Sequence, residues 1–345
     1  MTRVTARTGS GRVFGVLLAV LALGGAGFAG WTLYRVSTQP SQVPVEPMIE
    51  DGLASMETVE AVLASVQQLV KDENFVGAER VMAEAVRKFP SDQDLRLSFG
   101  DYLMTRERWS EAYDQYAAAI DAGAVPARAY FAAGTLASMS QRPQRAAEHY
   151  EQAMRADPNT PEFPLYLASA RMKLSQWSEA KAALALAGRL APDRAEVWGM
   201  YAQIALNENN LGIAAQQAER ARQLEPNEPA WVLMEAKVRK RAGDPERALD
   251  LLSAMPQQVL DEPETLKLLA ECYGMLGRPG DAASRYIDAA EREPGDALLA
   301  FEAALWLQRT GEGEEAIVWA EKARTLGHER AGAWIEAQAS AETQP

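Results

Sequence analysis

A strict 34-residue period runs through most of this chain and constrains its fold more than any other feature. With unit starts placed at residues 59, 93, 127, 161, 195, 229, 263 and 297, position 20 of every unit is alanine. Position 27 is alanine in seven of the eight units, and position 8 is glycine or alanine in all but the first. A period of this length indicates one supersecondary unit that is repeated and stacked on its neighbours.

The residue types at fixed positions indicate two antiparallel helices per unit. Alanine favours helix and has little bulk, so small residues at positions 8 and 20 permit a close approach of the two helices. Proline at position 32, as in Pro158 and Pro192, ends the second helix. Glycine at position 15 of the last three units (Gly243, Gly277 and Gly311) suits a left-handed turn between the helices.

The pattern resembles the tetratricopeptide repeat family over about residues 59–330. The resemblance implies an all-α, right-handed superhelical solenoid of eight helix-turn-helix repeats. A C-terminal helix over 331–341, which includes Trp334, is expected to cap the last apolar face. In unit six, Pro256 predicts a second helix that ends early. The best match is unit seven, with Leu269, Ala270, Tyr273, Gly277, Ala282, Tyr286, Ala289 and Pro294.

Residues 13–34 contain no charged side chain and are long enough to cross a bilayer as one transmembrane helix. Three arginines precede this segment and one follows it, which predicts a cytoplasmic N-terminus. A cleaved signal peptide, with Gly27 and Ala29 near its cleavage site, is the alternative. We favour a retained anchor, and therefore a single-pass protein of a bacterial inner membrane with its repeats in the periplasm.

These features divide the chain into five predicted segments. Residues 1–12 form a cytoplasmic N-terminus, 13–34 the anchor, 35–52 a proline-rich linker, 53–341 the solenoid and 342–345 a tail. The prolines of the linker restrict its backbone and favour an extended spacer.

The sequence offers no catalytic constellation, so we predict that the chain is not an enzyme and holds no cofactor or metal. Its one cysteine, Cys272, and two histidines, His149 and His328, do not lie at metal-ligand spacing from one another. The formal net charge of −13 argues against nucleic acid as a partner.

The resemblance implies that first-helix positions 2, 5, 9, 12 and 13 line an inner, partner-binding face. Units two to five place an apolar zone there, and units six and seven a basic zone. The alternative is that the apolar residues belong to the core and the basic ones to a solvated face. The candidate residues of the first zone are Leu97, Asp101, Met104, Phe131, Thr135, Met139, Leu165, Met172, Gln203 and Leu206; those of the second are Lys237, Lys240, Arg241 and Lys267.

A concave surface without reactive groups favours binding as the function. We expect a membrane-tethered scaffold or chaperone-like adaptor that holds a protein or peptide, with an acidic segment, to assist assembly of a cell-envelope complex. The alternatives are a self-associating component of a membrane complex, joined through the anchor or Trp334, and an apocytochrome c-binding biogenesis factor.

Overall fold

The computed structural model describes residues 57–342, which form eighteen helices and no strand. In chain order the helices are α1 (Val59–Lys71), α2 (Phe75–Lys88), α3 (Gln93–Thr105), α4 (Trp109–Ala122), α5 (Ala127–Met139), α6 (Pro143–Ala156), α7 (Glu162–Lys173), α8 (Trp177–Leu190), α9 (Ala195–Asn207), α10 (Leu211–Leu224), α11 (Pro229–Arg241), α12 (Pro245–Ser253), α13 (Gln257–Leu260), α14 (Pro263–Met275), α15 (Pro279–Arg292), α16 (Ala297–Thr310), α17 (Gly313–Thr325) and α18 (Ala331–Glu342).

The helices pair along the chain into helix-turn-helix units. Each helix packs mainly against its immediate neighbours in sequence, which is the contact pattern of a solenoid. The prediction of an all-α, tetratricopeptide-like array is therefore confirmed for the described residues. The division of the chain into five segments stays a prediction.

The predicted membrane location is wrong on the evidence of the described helices. Between residues 57 and 342, no helix combines the length and the apolar character needed to cross a bilayer. The anchor predicted over residues 13–34, on which that location depended, lies outside the described residues.

Small residues allow the two helices of each unit to meet closely. All eight alanines at position 20 are fully buried. At position 8 of units two and three, glycine lies beneath a tyrosine ring from position 24 of the second helix. A Cβ added to Gly100 would lie 3.1 Å from the ring of Tyr116, and one added to Gly134 would lie 2.7 Å from that of Tyr150. Glycine thus makes room for a large ring that fills the unit.

The turn between the two helices has the same backbone geometry in every unit. Position 15 has a positive φ throughout, so the predicted left-handed turn is present at Gly243, Gly277 and Gly311. The first five units adopt it with Glu73, Glu107, Gln141, Ser175 and Asn209, whose φ values lie between 56° and 59°. A residue with a Cβ is strained there. The packing of the helices on either side therefore overrides the local preference.

Unit six departs from the regular geometry where the sequence does. Its second helix, α12, ends at Ser253, and Pro256 precedes the single turn α13. Met255 stands where the other units have alanine at position 27. Its buried side chain joins a core cluster with Leu252, Leu268 and Cys272.

The two ends of the described array differ from its interior. Positions 3 and 10 of the first helix are buried in unit two, as Leu95 and Tyr102, but exposed in unit one, as Ala61 and Gln68. Helix α1 therefore presents a polar outer face. At the other end, the half-buried Trp334 of α18 packs edge-on against Phe301, with 6.2 Å between the ring centroids. This contact covers the last unit and leaves less of Trp334 for self-association.

A single substitution tests the turn geometry. We expect Gly277→Ala to lower the free energy of unfolding by about 1–2 kcal/mol, because alanine is strained at a positive φ. Gly280→Ala is the matched control, since Gly280 lies in the first turn of α15 with open space around its Cα and no positive φ. It should be neutral or stabilising. Urea unfolding of both variants measures these free energies. Equal losses of unfolding free energy in the two variants would contradict a strained turn at residue 277.

Candidate protein-binding surface

The first helices line one side of the array. Successive first helices touch each other at several junctions, among them α7 with α9, α9 with α11, and α11 with α14. Within residues 57–342, no contact of similar extent joins successive second helices. In a curved stack, the helices on the inner side lie closer together than those on the outer side. The contacts between successive first helices therefore place the first helices on the inner side.

Four of the predicted apolar residues belong to the core and leave the candidate surface. Leu97, Met104, Leu165 and Leu206 are 3–9% exposed, so a partner cannot contact them extensively. Met139 is 44% exposed. The predicted apolar zone is therefore narrower than the sequence indicated, and Phe131, Met139 and Met172 remain as its accessible part.

A cluster of four rings forms the floor of this apolar zone. The ring of Phe131 lies 5.6 Å from that of Tyr150, 5.3 Å from that of Phe163 and 5.2 Å from that of Tyr166. Phe131 and Tyr166 are half-buried, so each leaves part of its ring accessible. Tyr166 stands at position 6, which is not among the positions that the resemblance assigns to the inner face; a second aromatic residue in the first helix of unit four, after Phe163, was the available signal.

Thr135 is fixed beside this aromatic floor. Its hydroxyl donates to the Phe131 carbonyl oxygen at 3.0 Å and accepts from the Tyr150 hydroxyl at 3.4 Å. Burial raises the pKa of Tyr150 to about 12, so its phenol keeps the donated proton at neutral pH. The polar groups behind the aromatic floor are therefore satisfied within the chain.

Asp101 is engaged by the chain itself. One of its carboxylate oxygens accepts a short hydrogen bond from the Tyr116 hydroxyl, and the other lies 3.2 Å from Arg128 Nη1. Burial and the nearby Asp101 carboxylate raise the pKa of Tyr116. Asp101 therefore joins unit two to unit three, and its contact with a partner stays a prediction.

The cations of α11 fall into two groups on opposite faces. Arg239 is bound to the fully buried Glu235 and to Glu219, at 3.3 and 3.1 Å. These contacts hold its charge within the array. Lys237 and Arg241 lie two residues before and two residues after Arg239, so on a helix with 3.6 residues per turn both project from the other side.

The inner cations are not equally available. Lys240 pairs with Glu271 of the next unit. Arg241 donates to the neutral Asn209 amide oxygen at 3.4 Å, so its charge has no acidic partner. Lys237 and Lys267 make no ion pair or hydrogen bond to any other described residue. Lys237, Arg241 and Lys267 therefore have no acidic partner among the described residues, whereas Lys240 has one.

Unit five separates the two zones with a glycine that is covered by an indole ring and with an exposed amide. Position 5 is Gly199, which lies under the indole ring of Trp231: a Cβ there would be 2.3 Å from the ring. Trp231 is held by a 2.7 Å bond from its Nε1 to Glu225. The exposed Gln203 follows on the same helix. The inner face therefore changes from aromatic to amide to basic along the array.

Neither histidine has the surroundings of a catalytic group. His149 Nε2 lies 3.3 Å from the Tyr113 hydroxyl, and burial lowers the pKa of His149. The ring of His328 stacks on Phe301, with centroids 4.2 Å apart. In the part of the chain that the structure describes, no three His, Cys, Asp or Glu side chains converge as a metal site. The absence of enzymatic activity stays a prediction.

Comparisons with known proteins agree with this architecture. Two tetratricopeptide repeat family models match the chain, one over residues 63–123 and 97–161 and the other over 137–204. A TPR repeat-containing protein of Treponema pallidum (strain Nichols) is 24% identical over 255 residues, which is 69% of this chain and 31% of that protein. The chain thus spans about a third of the length of this curated relative. Tetratricopeptide repeats are therefore recognised in this chain.

Solved structures with little sequence identity share the fold. The Cut9–Hcn1 hetero-tetramer of the APC/C matches 83% of this chain and 58% of its own, with a TM-score of 0.53 and 14% identity. The pilF protein of Pseudomonas aeruginosa matches 63% of this chain and 97% of its own, with a TM-score of 0.52 and 18% identity. Repeats of this fold generally mediate protein–protein or protein–peptide interactions.

The lone cysteine provides a test of the core beneath the basic zone. Cys272 is fully buried, and burial raises the pKa of its thiol to about 11. Because a reagent cannot reach a fully buried thiol, and the thiolate is the nucleophile, we expect the folded chain to react slowly with a disulfide reagent at pH 8. Urea-unfolded chain should react fast, because its thiol is exposed and has an ordinary pKa. Complete labelling of the folded chain at pH 8 within the time of the unfolded control would contradict this packing.

Proposed function

We propose that this protein is a non-enzymatic adaptor that holds a segment of a partner protein along the inner face of its first helices. One observation carries the proposal. Lys237, Arg241 and Lys267 present uncompensated positive charge on that face, in a chain whose formal net charge is −13. In such an acidic chain, a local basic surface attracts an acidic partner and orients it during association.

The shape of the surface favours a protein segment over a small molecule. The accessible residues extend from unit three to unit seven, so a ligand that used all of them would have to be long. Small-molecule sites bury most of their ligand in a concave pocket. The inner-face groups instead form a track, which matches a peptide that gains contacts residue by residue. Holding such a segment suits a scaffold that helps a larger complex to assemble.

Photo-crosslinking tests which side of the array meets the partner. A photoreactive amino acid replaces Gln203 on the inner side, or Gln216 on α10 of the same unit as the matched outer control. Both glutamine positions are exposed. In cells that produce the full chain, we expect a discrete adduct with one partner protein from position 203 and none of that mass from position 216.

Charge reversal then tests whether the uncompensated positive charge on the inner face holds the partner. Lys237→Glu combined with Lys267→Glu should abolish the adduct from position 203. Arg145→Glu combined with Arg247→Glu makes the same change of net charge at exposed sites on second helices, and should leave the adduct intact. An identical adduct pattern from both crosslinker positions, or equal loss in both charge variants, would overturn the proposal.

A further inference from the structure

The inner face carries two zones of different chemistry, and their separation is set by the repeat. We propose that the aromatic floor and the basic zone bind one continuous, extended protein segment, in which an apolar side chain and a pair of carboxylates lie about seven to nine residues apart. This inference rests on the proposed function, and it specifies the partner segment that the function leaves open.

The apolar end is defined by what the core leaves accessible. Phe131 and Tyr166 meet edge to face, with centroids 5.2 Å apart, and both are half-buried. The hydroxyl of Thr135 is already bonded within the chain, so the floor offers ring surface. Met139 is the exposed residue at the end of α5, and its flexible thioether adapts to different side chains. An aromatic or branched aliphatic side chain fits these groups.

The basic end is defined by the cations that remain uncompensated. Lys237 and Lys267 come from adjacent units and have no acidic partner among the described residues. Asn209 holds Arg241 through its side chain while its own backbone is left-handed, with φ of 56°. Two carboxylates of an acidic segment match this arrangement.

The stretch between the two zones suits an extended backbone. Trp231 covers Gly199, so no side chain projects from position 5 of unit five. The exposed amide of Gln203 offers both a donor and an acceptor to a peptide group. The indole ring over Gly199 and the amide of Gln203 together form a floor that does not require a particular ligand side chain. One segment can therefore pass from the aromatic floor to the basic zone.

The repeat fixes the distance that the segment spans. Tyr166 on α7 and Lys267 on α14 lie three units apart, and at each of the three junctions between them the successive first helices touch. Touching helices are separated by about 8–10 Å, so three steps cover roughly 24–30 Å. At about 3.3 Å per residue, an extended chain needs about seven to nine residues for that distance.

A series of synthetic peptides tests the spacing on the full chain. Each peptide carries a leucine–phenylalanine pair and a pair of glutamates, joined by glycine–serine spacers of about two, five, eight, eleven or fourteen residues, in both orders. Fluorescence anisotropy should give the tightest binding at the spacer of about eight residues in one order, about tenfold tighter than at the shortest spacer.

Variants assign the two ends of the peptide. Lys237→Glu with Lys267→Glu should remove the spacing optimum and leave only weak, spacing-independent binding. The matched pair Arg145→Glu and Arg247→Glu should keep the optimum, which shows that the change in net charge alone does not remove it. Binding that is independent of spacing, or an optimum unaffected by the inner-face variant, would overturn the inference. If the adduct from position 203 persists in that case, the adaptor function stands and only the single-segment arrangement falls.

Discussion

The close approach of two helices at positions 8 and 20 is the constraint on which the rest of this structure depends. Alanine at position 20 is buried in every unit, and where position 8 is glycine, a tyrosine ring occupies the released volume. Interiors pack without voids, so a smaller residue at one position requires a larger one facing it. Because this contact recurs every 34 residues without interruption, each first helix presents the same positions in the same direction. The inner face therefore results from the uninterrupted 34-residue repeat of this contact.

Much of the fold follows from the sequence because its determinants are local and repeated. The small positions, the glycine turns and the early end of α12 at Ser253 all have a signal within a few residues. The left-handed turns at Glu107 and Ser175 have none, since their conformation is imposed by the helices they connect. Leu97 and Leu165 illustrate a different limit. An apolar residue at helical spacing can face either a partner or the core, and helical periodicity alone does not distinguish the two.

The charges of the candidate site also depend in part on contacts between units, which the local sequence does not show. The sequence counts four cations in the basic zone, but only the pairing across units determines which of them remain available. Lys240 at position 12 meets Glu271 at position 9 of the next unit, and Arg128 at position 2 meets Asp101 at position 9 of the preceding one. These pairs join residues 31 and 27 positions apart. Counting charged residues in the sequence therefore overstates how much positive charge the basic zone presents. It also overstates how much negative charge lies near the aromatic floor.

The buried ion network beneath α11 links the stability of the array to the direction of its basic face. Glu235 is fully buried, and its carboxylate lies 2.6 Å from Arg222 and 3.3 Å from Arg239. Removing charges from water is expensive, so such a network contributes more to orientation than to stability. It joins α10 to one face of α11. Residues 237 and 241 lie two positions beyond residues 235 and 239, which is about 200° around a helix. Fixing Glu235 and Arg239 inside the junction therefore turns Lys237 and Arg241 outward, so the contacts that hold units five and six together also aim the charges available to a partner.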